Sequence, residues 1–207
     1  MKSQPSLLIA TGNAGKLREF RQLLTELPFV FLGLGDFPAI QTVAETGSTF
    51  IENASLKASE YARQSQVLTL ADDSGLEVDA LGRAPGVISA RFAGETSSDG
   101  ARIDGLLTGL SNVEGAKRSA RFVSAIVIAD STGAILNIST GICEGHIAMA
   151  PRGKRGFGYD PIFIPAAYRL TFGELEPEIK NQISHRARAL IEARHYLQGL
   201  TIASSGR

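Results

Sequence analysis

The chain has 207 residues, of which 43% are hydrophobic and 20% are charged. Its 21 basic and 21 acidic residues cancel, which argues against a nucleic acid or an anionic membrane surface as the partner. The single cysteine, Cys143, excludes an intramolecular disulfide framework and favours a reducing, cytoplasmic setting. No apolar run approaches the ~20 residues that a membrane span requires, so no membrane partner is expected.

The stretch SLLIATGNAGKLREF, residues 6–20, predicts a strand, a tight loop and the start of a helix that runs to Leu27. N–H groups at such a helix start have no partner within the helix, and Lys16 adds a full positive charge beside them. The loop is therefore suited to an anion such as phosphate. The alternative is a plain turn with an asparagine cap, and this stretch alone does not separate the two interpretations.

Later elements alternate between strands and helices and then pair locally. The predicted elements are a strand within 29–38, a helix within 46–66 capped near Ser48 or Thr49, a strand within 67–81, a surface loop over 82–100, a helix within 101–113, two strands within 118–130 and 135–148 joined by a turn, a Gly/Pro loop leading into a strand within 151–167, and a closing helix over 180–200 with Ile191 facing inward. This order predicts an α/β fold with a mixed β-sheet flanked by helices.

Asp72 and Asp73 stand where the third strand is expected to end and a loop to begin. Strand ends are where α/β folds place ligand sites, and carboxylate oxygens suit Mg²⁺. Adjacent residues of a strand point to opposite faces, so at most one of them faces a ligand unless the backbone turns. The alternative is a turn with side-chain hydrogen bonds, which DDSG would form well. Glu45 is a candidate to complete a metal site with Asp73, whereas Lys57 is read either as facing the ligand or as solvated.

Two later stretches also suggest ligand binding. RGKRGFGYDP, residues 152–161, combines three basic residues, three glycines and two aromatic residues, which suits a phosphate and a stacked base, although many basic loops are only solvated. In KNQISHRARAL, residues 180–190, Ser184 is the expected N-cap of the closing helix. His185 and Arg186 then fall in the first turn, where positive charge opposes the helix dipole, so a bound anion or an acidic neighbour is expected there.

Several common motifs are missing. A Walker A loop ending at Gly15 and Lys16 would need glycine at position 10 and a hydroxyl residue at position 17, which are Ala10 and Leu17. No GxGxxG follows the first strand, and no GxSxG elbow is found. The sequence is therefore not that of a P-loop ATPase, and it argues against a dinucleotide dehydrogenase or an α/β-hydrolase.

Five motifs in a fixed order, TGNAGKLREF, ETGSTFIENASLKA, ADDSGLEVDALGRAPGVISARFAG, GFGYDPIF and SHRARAL, together resemble the inosine triphosphate pyrophosphatase family. The resemblance covers residues from about 7 to about 197. It implies one ITPase-like domain, residues 1–207, with an elongated mixed sheet, two lobes and a cleft between them, and a homodimer. The implied reaction is Mg²⁺-dependent hydrolysis of ITP, dITP or XTP to the monophosphate and pyrophosphate.

The resemblance also implies roles at the matching positions. The triphosphate loop corresponds to Thr11, Gly12, Asn13, Ala14, Gly15 and Lys16. Asp73 matches the proton acceptor and, with Glu45, a ligand of Mg²⁺; Lys57 matches a lysine that faces phosphate. The remaining substrate contacts correspond to Ser74, Phe157, Gly158, Tyr159, Asp160, Lys180, His185 and Arg186.

Two other functions are weighed against this one. A related pyrophosphatase that prefers modified pyrimidine or standard nucleotides shares a phosphate loop but should lack GFGYDP and SHR. A nucleotide sensor without turnover should lack a carboxylate at Asp73 or Glu45. Both carboxylates and both motifs are present, which favours the purine pyrophosphatase.

Overall fold

The computed structural model describes residues 4–94 and 96–205, with backbone only at 202–205; the rest of the predicted 1–207 domain lies outside the described residues. The strands are β1 (Ser6–Ala10), β2 (Val30–Gly33), β3 (Leu68–Val78), β4 (Ser119–Ala129), β5 (Ile135–Ile147) and β6 (Phe163–Pro165). The helices are α1 (Ala14–Leu23), α2 (Phe50–Ser65), α3 (Asp99–Gly109), α4 (Pro177–Ile183) and α5 (His185–Ser205).

The described strands form one sheet in the order β2-β1-β3-β4-β5-β6. β1 pairs in parallel with both β2 and β3, and α1 and α2 supply the crossover connections that parallel neighbours require. β5 pairs antiparallel with β6, so the sheet is mixed, as predicted. Among the described residues, no helix is both long and apolar enough to cross a membrane.

The chain divides into two compact units. Unit 1 contains residues up to 73, 125–140 and those from 189 onward. Its core joins β1, whose residues 7–10 are all buried, to one face of α1, where Phe20 and the capping residue Leu24 are fully buried. A strand paired on both sides and covered by helices reads as a continuous apolar run, which is why the pattern at residues 7–10 was informative.

Unit 2 contains residues 74–124 and 141–188. Its core is rich in aromatic side chains: the ring of Phe122 lies 4.6 Å from that of Phe163, and Phe163 lies 5.3 Å from Phe172, between ring centroids. Cys143 is buried in the same cluster. These rings are large enough to dominate the apolar area that unit 2 buries.

The third strand does not end at the aspartates. β3 continues through Asp72 and Asp73 to Val78, so the predicted loop and the alternative turn at DDSG are both wrong. Leu76 and Val78 are fully buried in the core of unit 2, which extends the strand beyond the charged pair.

The closing helix is also different from the prediction. A separate helix, α4, ends at Ile183, and Ser184 has an extended backbone with ψ of 159°, which interrupts the helix before α5 begins. Ser184 caps α5 as predicted, because its Oγ accepts the N–H of Ala187 at 3.2 Å. Ile191 is 58% exposed although it was predicted to face inward, because its neighbour Leu190 takes the buried position. α1 likewise ends at Leu23 rather than at residue 27.

Candidate active site

The predicted phosphate loop begins α1. Asn13 is the N-cap, and its side-chain oxygen accepts the N–H of Lys16 at 3.0 Å. The N–H of Asn13 in turn donates to the hydroxyl of Thr11 at 3.2 Å. Gly12 and Ala14 are exposed, whereas Gly15 is buried within unit 1. The asparagine cap is therefore real, and it leaves an accessible loop at the positive end of the helix, where an anion is favoured.

Lys16 is paired with the first aspartate of β3. Its Nζ lies 2.7 Å from Oδ2 of Asp72, whose side chain is fully buried. A buried carboxylate needs such a partner, because desolvating an isolated charge is costly. Asp72 therefore fixes the direction of the lysine, which keeps a cation beside the loop.

Lys57 lies between two carboxylates of unit 1. Its Nζ is 2.6 Å from Oε1 of Glu45 and 3.4 Å from Oδ1 of Asp73, and the lysine is only 8% exposed. Burial lowers the pKa of Lys57, but the charges of Asp73 and Glu45 outweigh it, so the pKa is raised and the side chain is a cation. The interpretation of Lys57 as a solvated helix residue is therefore wrong.

Asp73 is 5% exposed, and burial raises the pKa of its carboxyl group despite the nearby Lys57 and Lys16. Its oxygens and those of Glu45 are hard donors that fit Mg²⁺, which commonly takes one or two carboxylates and keeps several waters. A larger cage of three or more His, Cys, Asp or Glu side chains is not found in the part of the chain that the structure describes. Magnesium binding at Glu45 and Asp73 stays a prediction.

In unit 2, Asp160 organises the loop that contains Phe157. Oδ2 of Asp160 accepts the N–H of Phe157 at 2.8 Å and contacts Nζ of Lys180 at 2.5 Å. Gly156 has φ of +77°, and a Cβ added there would lie 1.9 Å from the same oxygen, so a side chain at this position would displace the carboxylate. Asp160 is 2% exposed and serves to hold its neighbours in place.

The ring of Phe157 is half-buried and has two cations beside it. Nζ of Lys180 lies 4.9 Å from the ring centroid and the guanidinium carbon of Arg186 lies 5.9 Å from it. Cations over an aromatic face are attracted by its quadrupole. The ring is thus held in a defined position at a partly accessible place, which a stacked base would need.

The last predicted contacts lie at the start of α5 and on β3. Arg186 is 1% exposed, and its guanidinium donates to Oγ of Ser74 at 2.9 Å. The imidazole of His185 stacks on Phe122, with centroids 4.7 Å apart and planes 14° apart. Arg186 thus has the hydroxyl of Ser74 as a neutral partner and His185 packs on an aromatic ring, and the anion or acidic neighbour expected beside them stays a prediction.

Tyr159 and Gly158 follow Phe157 in the same loop. Tyr159 is buried in the core of unit 2, where its hydroxyl donates to the carbonyl of Ser89 at 3.0 Å, and burial raises its pKa to about 12. Gly158 has φ of +60°, and its N–H donates to Oδ2 of Asp99 at 2.6 Å. Both residues anchor the loop, and their direct contact with a base stays a prediction.

The structure thus groups the predicted residues into one cluster in each unit. The unit 1 cluster contains Thr11, Gly12, Asn13, Ala14, Gly15, Lys16, Glu45, Lys57 and Asp73. The unit 2 cluster contains Ser74, Phe157, Gly158, Tyr159, Asp160, Lys180, His185 and Arg186. Asp73 and Ser74, which belong to different clusters, are consecutive residues of β3.

The basic loop before Phe157 does not offer a free set of cations. Arg152 pairs with Glu174 at 3.4 Å, and Arg155 pairs with Glu176 at 2.7 Å. Arg155 also donates to the carbonyl of Glu174. These two arginines stabilise the loop itself, so the suggestion that the loop binds phosphate is not supported for them.

Two residues that contact the clusters were missed as site residues. Asn53 donates to Asp73, and its position one helical turn before Lys57 was a usable signal because residues i and i+4 share a face. Asp99 accepts the N–H of Gly158, but the sequence had placed it in the surface loop over 82–100 rather than in the first turn of α3, so no role was predicted for it.

A mixed α/β sheet with a capped, accessible loop after its first strand and a lysine between two carboxylates is the arrangement expected of a protein that binds a phosphorylated ligand. The chain belongs to the Ham1 family, whose model matches residues 7–196. It is 48% identical over 194 residues to a dITP/XTP pyrophosphatase of Bacillus cereus, covering 92% of this chain and 93% of that protein. It is 50% identical over 184 residues to a dITP/XTP pyrophosphatase of Geobacillus kaustophilus, covering 89% and 90%.

Solved structures show the same fold. The structure of a HAM1 protein from Coxiella burnetii superposes with a TM-score of 0.85 at 42% identity, over 94% of this chain and 99% of that one. The resemblance inferred from the five motifs is therefore confirmed, as is the predicted fold class of a mixed sheet with flanking helices.

Replacing Tyr159 by Phe should reduce the loss of stability in alkali. Because the folded state holds the phenol's proton up to a pKa of about 12, above the ordinary value of 10.0, folding is favoured below pH 10 and that contribution is lost between pH 10 and 12. At about 1.4 kcal/mol per pKa unit, wild type should lose roughly 2–3 kcal/mol more than the variant across this range. Urea unfolding at several pH values measures the difference, and parallel curves for the two proteins would contradict it.

Proposed function

We propose that this protein hydrolyses non-standard purine nucleoside triphosphates, namely dITP, ITP and XTP, to the monophosphate and pyrophosphate. The observation that carries the proposal is the pair of carboxylates, Glu45 and Asp73, on the ammonium of Lys57 in the unit that also carries the capped loop. The relatives named dITP/XTP pyrophosphatase support the substrate class. The activity would remove deaminated purines from the nucleotide pool.

The unit 1 cluster would bind the triphosphate. The loop from Thr11 to Lys16 presents the start of α1 to phosphate oxygens, and Lys16 and Lys57 supply two cations for the charge that develops on the leaving pyrophosphate. A phosphate would compete with Asp72 and Glu45 for these ammonium groups. Binding therefore exchanges one set of charge partners for another, which limits its electrostatic cost.

Hydrolysis at the α-phosphorus requires a group that directs water. Asp73 would orient the attacking water and accept its proton as the new P–O bond forms and the bond to pyrophosphate breaks. Burial raises the pKa of this carboxyl, whereas Mg²⁺ bound to it would lower the pKa and leave Asp73 to position the attacking water. Glu45 and Asp73 would also hold Mg²⁺, which would supply positive charge to neutralise that of the phosphate groups.

The unit 2 cluster would bind the purine. Phe157, held by Asp160, would stack on the base, while Lys180, His185 and Arg186 would provide hydrogen-bond donors. Donors directed at the 6-oxo oxygen of hypoxanthine or xanthine disfavour adenine, because the 6-amino group of adenine presents another donor there. Because the arginine side chain stays protonated and can only donate, Arg186 cannot become an acceptor for the 6-amino group of adenine.

We further propose that the enzyme works as a homodimer in the cytoplasm. Leu136 and Ile138 lie on the same face of β5 and are 36% and 44% exposed, and exposed apolar side chains side by side are typical of protein contacts. Light scattering on the purified chain should give a mass twice that of the 22.0 kDa monomer, and a monomer mass at micromolar concentration would refute the dimer.

Pyrophosphate release should be fast with ITP and XTP and slow with dATP and GTP, and it should depend on Mg²⁺. The assay compares all four nucleotides with Mg²⁺ and with EDTA, using wild type beside Asp73→Asn. That substitution should lower kcat for ITP by roughly 100-fold or more, because it removes the proton acceptor and one carboxylate.

The other outcomes of this assay are equally informative. Equal turnover of all four nucleotides would indicate a broad nucleotide pyrophosphatase. Tight ITP binding without turnover would indicate a sensor. Full activity in EDTA would refute the magnesium assignment at Glu45 and Asp73.

Replacing Phe157 by Ala should raise KM for ITP several-fold, because base stacking on an aromatic ring contributes about 1–3 kcal/mol. Steady-state kinetics measure the effect, with Phe92→Ala as a control on a partly buried ring packed against the unit 2 core. An unchanged KM in the Phe157 variant would show that the ring does not contact the base.

A further inference from the structure

Asn53 joins the two parts of the unit 1 cluster. Its side chain is fully buried and makes two hydrogen bonds: Oδ1 accepts the N–H of Gly47 at 2.8 Å, and Nδ2 donates to Oδ2 of Asp73 at 3.2 Å. The partners fix the orientation of the amide. Because a backbone N–H can only donate and an ionised carboxylate can only accept, the oxygen must face Gly47 and the nitrogen must face Asp73.

The loop packs tightly against α2 at Gly47. A Cβ added at Gly47 would lie 2.6 Å from Cβ of Glu52 and 2.8 Å from Oδ1 of Asn53. At Gly47, two residues after Glu45, the loop therefore lies so close to α2 that a side chain would collide with the helix. Asn53 thus fixes the loop that carries one carboxylate and contacts the other carboxylate directly.

The contact with Asp73 completes the restraint on that carboxylate. Lys57 contacts Oδ1 and Asn53 contacts Oδ2, so the two oxygens have different partners. A carboxylate held at both oxygens cannot rotate about its last bond without breaking a contact in a buried site. Each oxygen still has a second lone pair for a ligand.

We propose that Asn53 is a positioning residue for hydrolysis: it sets the plane of the Asp73 carboxylate and its register with Glu45. The inference rests on the proposed function and adds a specific residue to it. The positioning role requires the donor nitrogen of Asn53 that faces Asp73, in addition to the acceptor oxygen that faces Gly47. A residue that only tied down the loop would require the oxygen alone.

Two substitutions separate these roles. Asn53→Asp keeps an acceptor for Gly47 but presents an oxygen to Asp73, whereas Asn53→Ala removes both contacts. Loss of a group that orients a metal-binding side chain typically costs 10–100-fold in activity or metal affinity. We expect both variants to lower kcat for ITP by about 10-fold or more while KM stays within about 3-fold.

Two controls accompany them. Glu52→Ala loosens the same loop, because Glu52 accepts the N–H groups of Ser48 and Thr49, yet it has no described hydrogen bond or ion pair to Asp73. We expect this control to lower kcat by less than about 3-fold. Asn112→Asp makes the same chemical change at an exposed position and should leave kcat unchanged.

A second measurement does not depend on turnover. Binding of Mn²⁺, followed by electron paramagnetic resonance without nucleotide, should weaken by about 10-fold in Asn53→Ala. In an Asp73→Asn background the same Asn53→Ala change should have almost no further effect, because its target is already altered. Circular dichroism checks that each variant is folded, and the alanine variant carries the test if Asn53→Asp does not fold.

Three results would overturn the inference: wild-type kcat in Asn53→Asp, an equal loss in Glu52→Ala and Asn53→Ala, or additive Mn²⁺ effects of Asn53→Ala and Asp73→Asn. A wild-type enzyme that releases no pyrophosphate from ITP would refute the proposed function instead. The Mn²⁺ titrations would then still decide whether Asn53 orients Asp73.

Discussion

The buried ammonium of Lys57 holds Glu45 and Asp73 together, and the unit 1 cluster depends on it. One carboxylate comes from a loop and the other from β3, and the lysine comes from α2. Without the cation, two negative charges would face each other in a poorly solvated place, and breaking a buried pair typically costs about 3–5 kcal/mol. A bound triphosphate and cation would change the partners of the same charged groups that stabilise the cluster.

Unit 2 uses a similar device with a single carboxylate. Asp160 contacts the ammonium of Lys180 and the N–H of Phe157, and the glycine at position 156 allows this close approach. The result is an aromatic ring fixed by hydrogen bonds to its own backbone rather than by packing on all sides. Such a ring stays partly accessible and needs little reordering when a base stacks on it, which reduces the entropic cost of binding.

Most of the architecture could be predicted from patterns that follow local physics. The apolar run of β1, the cap at Thr49 and the turn between β4 and β5 are local signals, and each was read correctly. The course of β3 through Asp72 and Asp73 could not be predicted, because each aspartate depends on a distant lysine. Lys16 is 56 residues from Asp72 in the chain, and Lys57 is 16 residues from Asp73. The separate helix α4 was missed for a different reason: the cap at Ser184 was predicted, but the segment before it was joined to the closing helix, because serine is also an acceptable residue within a helix.

The site residues divide in the same way. Motifs identified the groups that carry charge, but not the residues that orient them. Asn53 and Asp99 act through one or two hydrogen bonds; the position of Asn53 one helical turn before Lys57 is a signal of its role, whereas Asp99 has no such signal in its local sequence. The close approach at Gly47 likewise becomes apparent only when the loop and α2 are seen together.

The consecutive aspartates of β3 also help to select the register in which β3 pairs with β1. Ala71 is opposite Ala10 in the parallel pair of β3 with β1, and this alignment gives Lys16 and Lys57 one carboxylate each. A slip of one residue would exchange the faces of the two aspartates, so that each lysine would lose its aspartate partner. An insertion or deletion within β3 should therefore abolish the site even in a chain that still forms a sheet, because the register of β3 sets which aspartate each lysine meets.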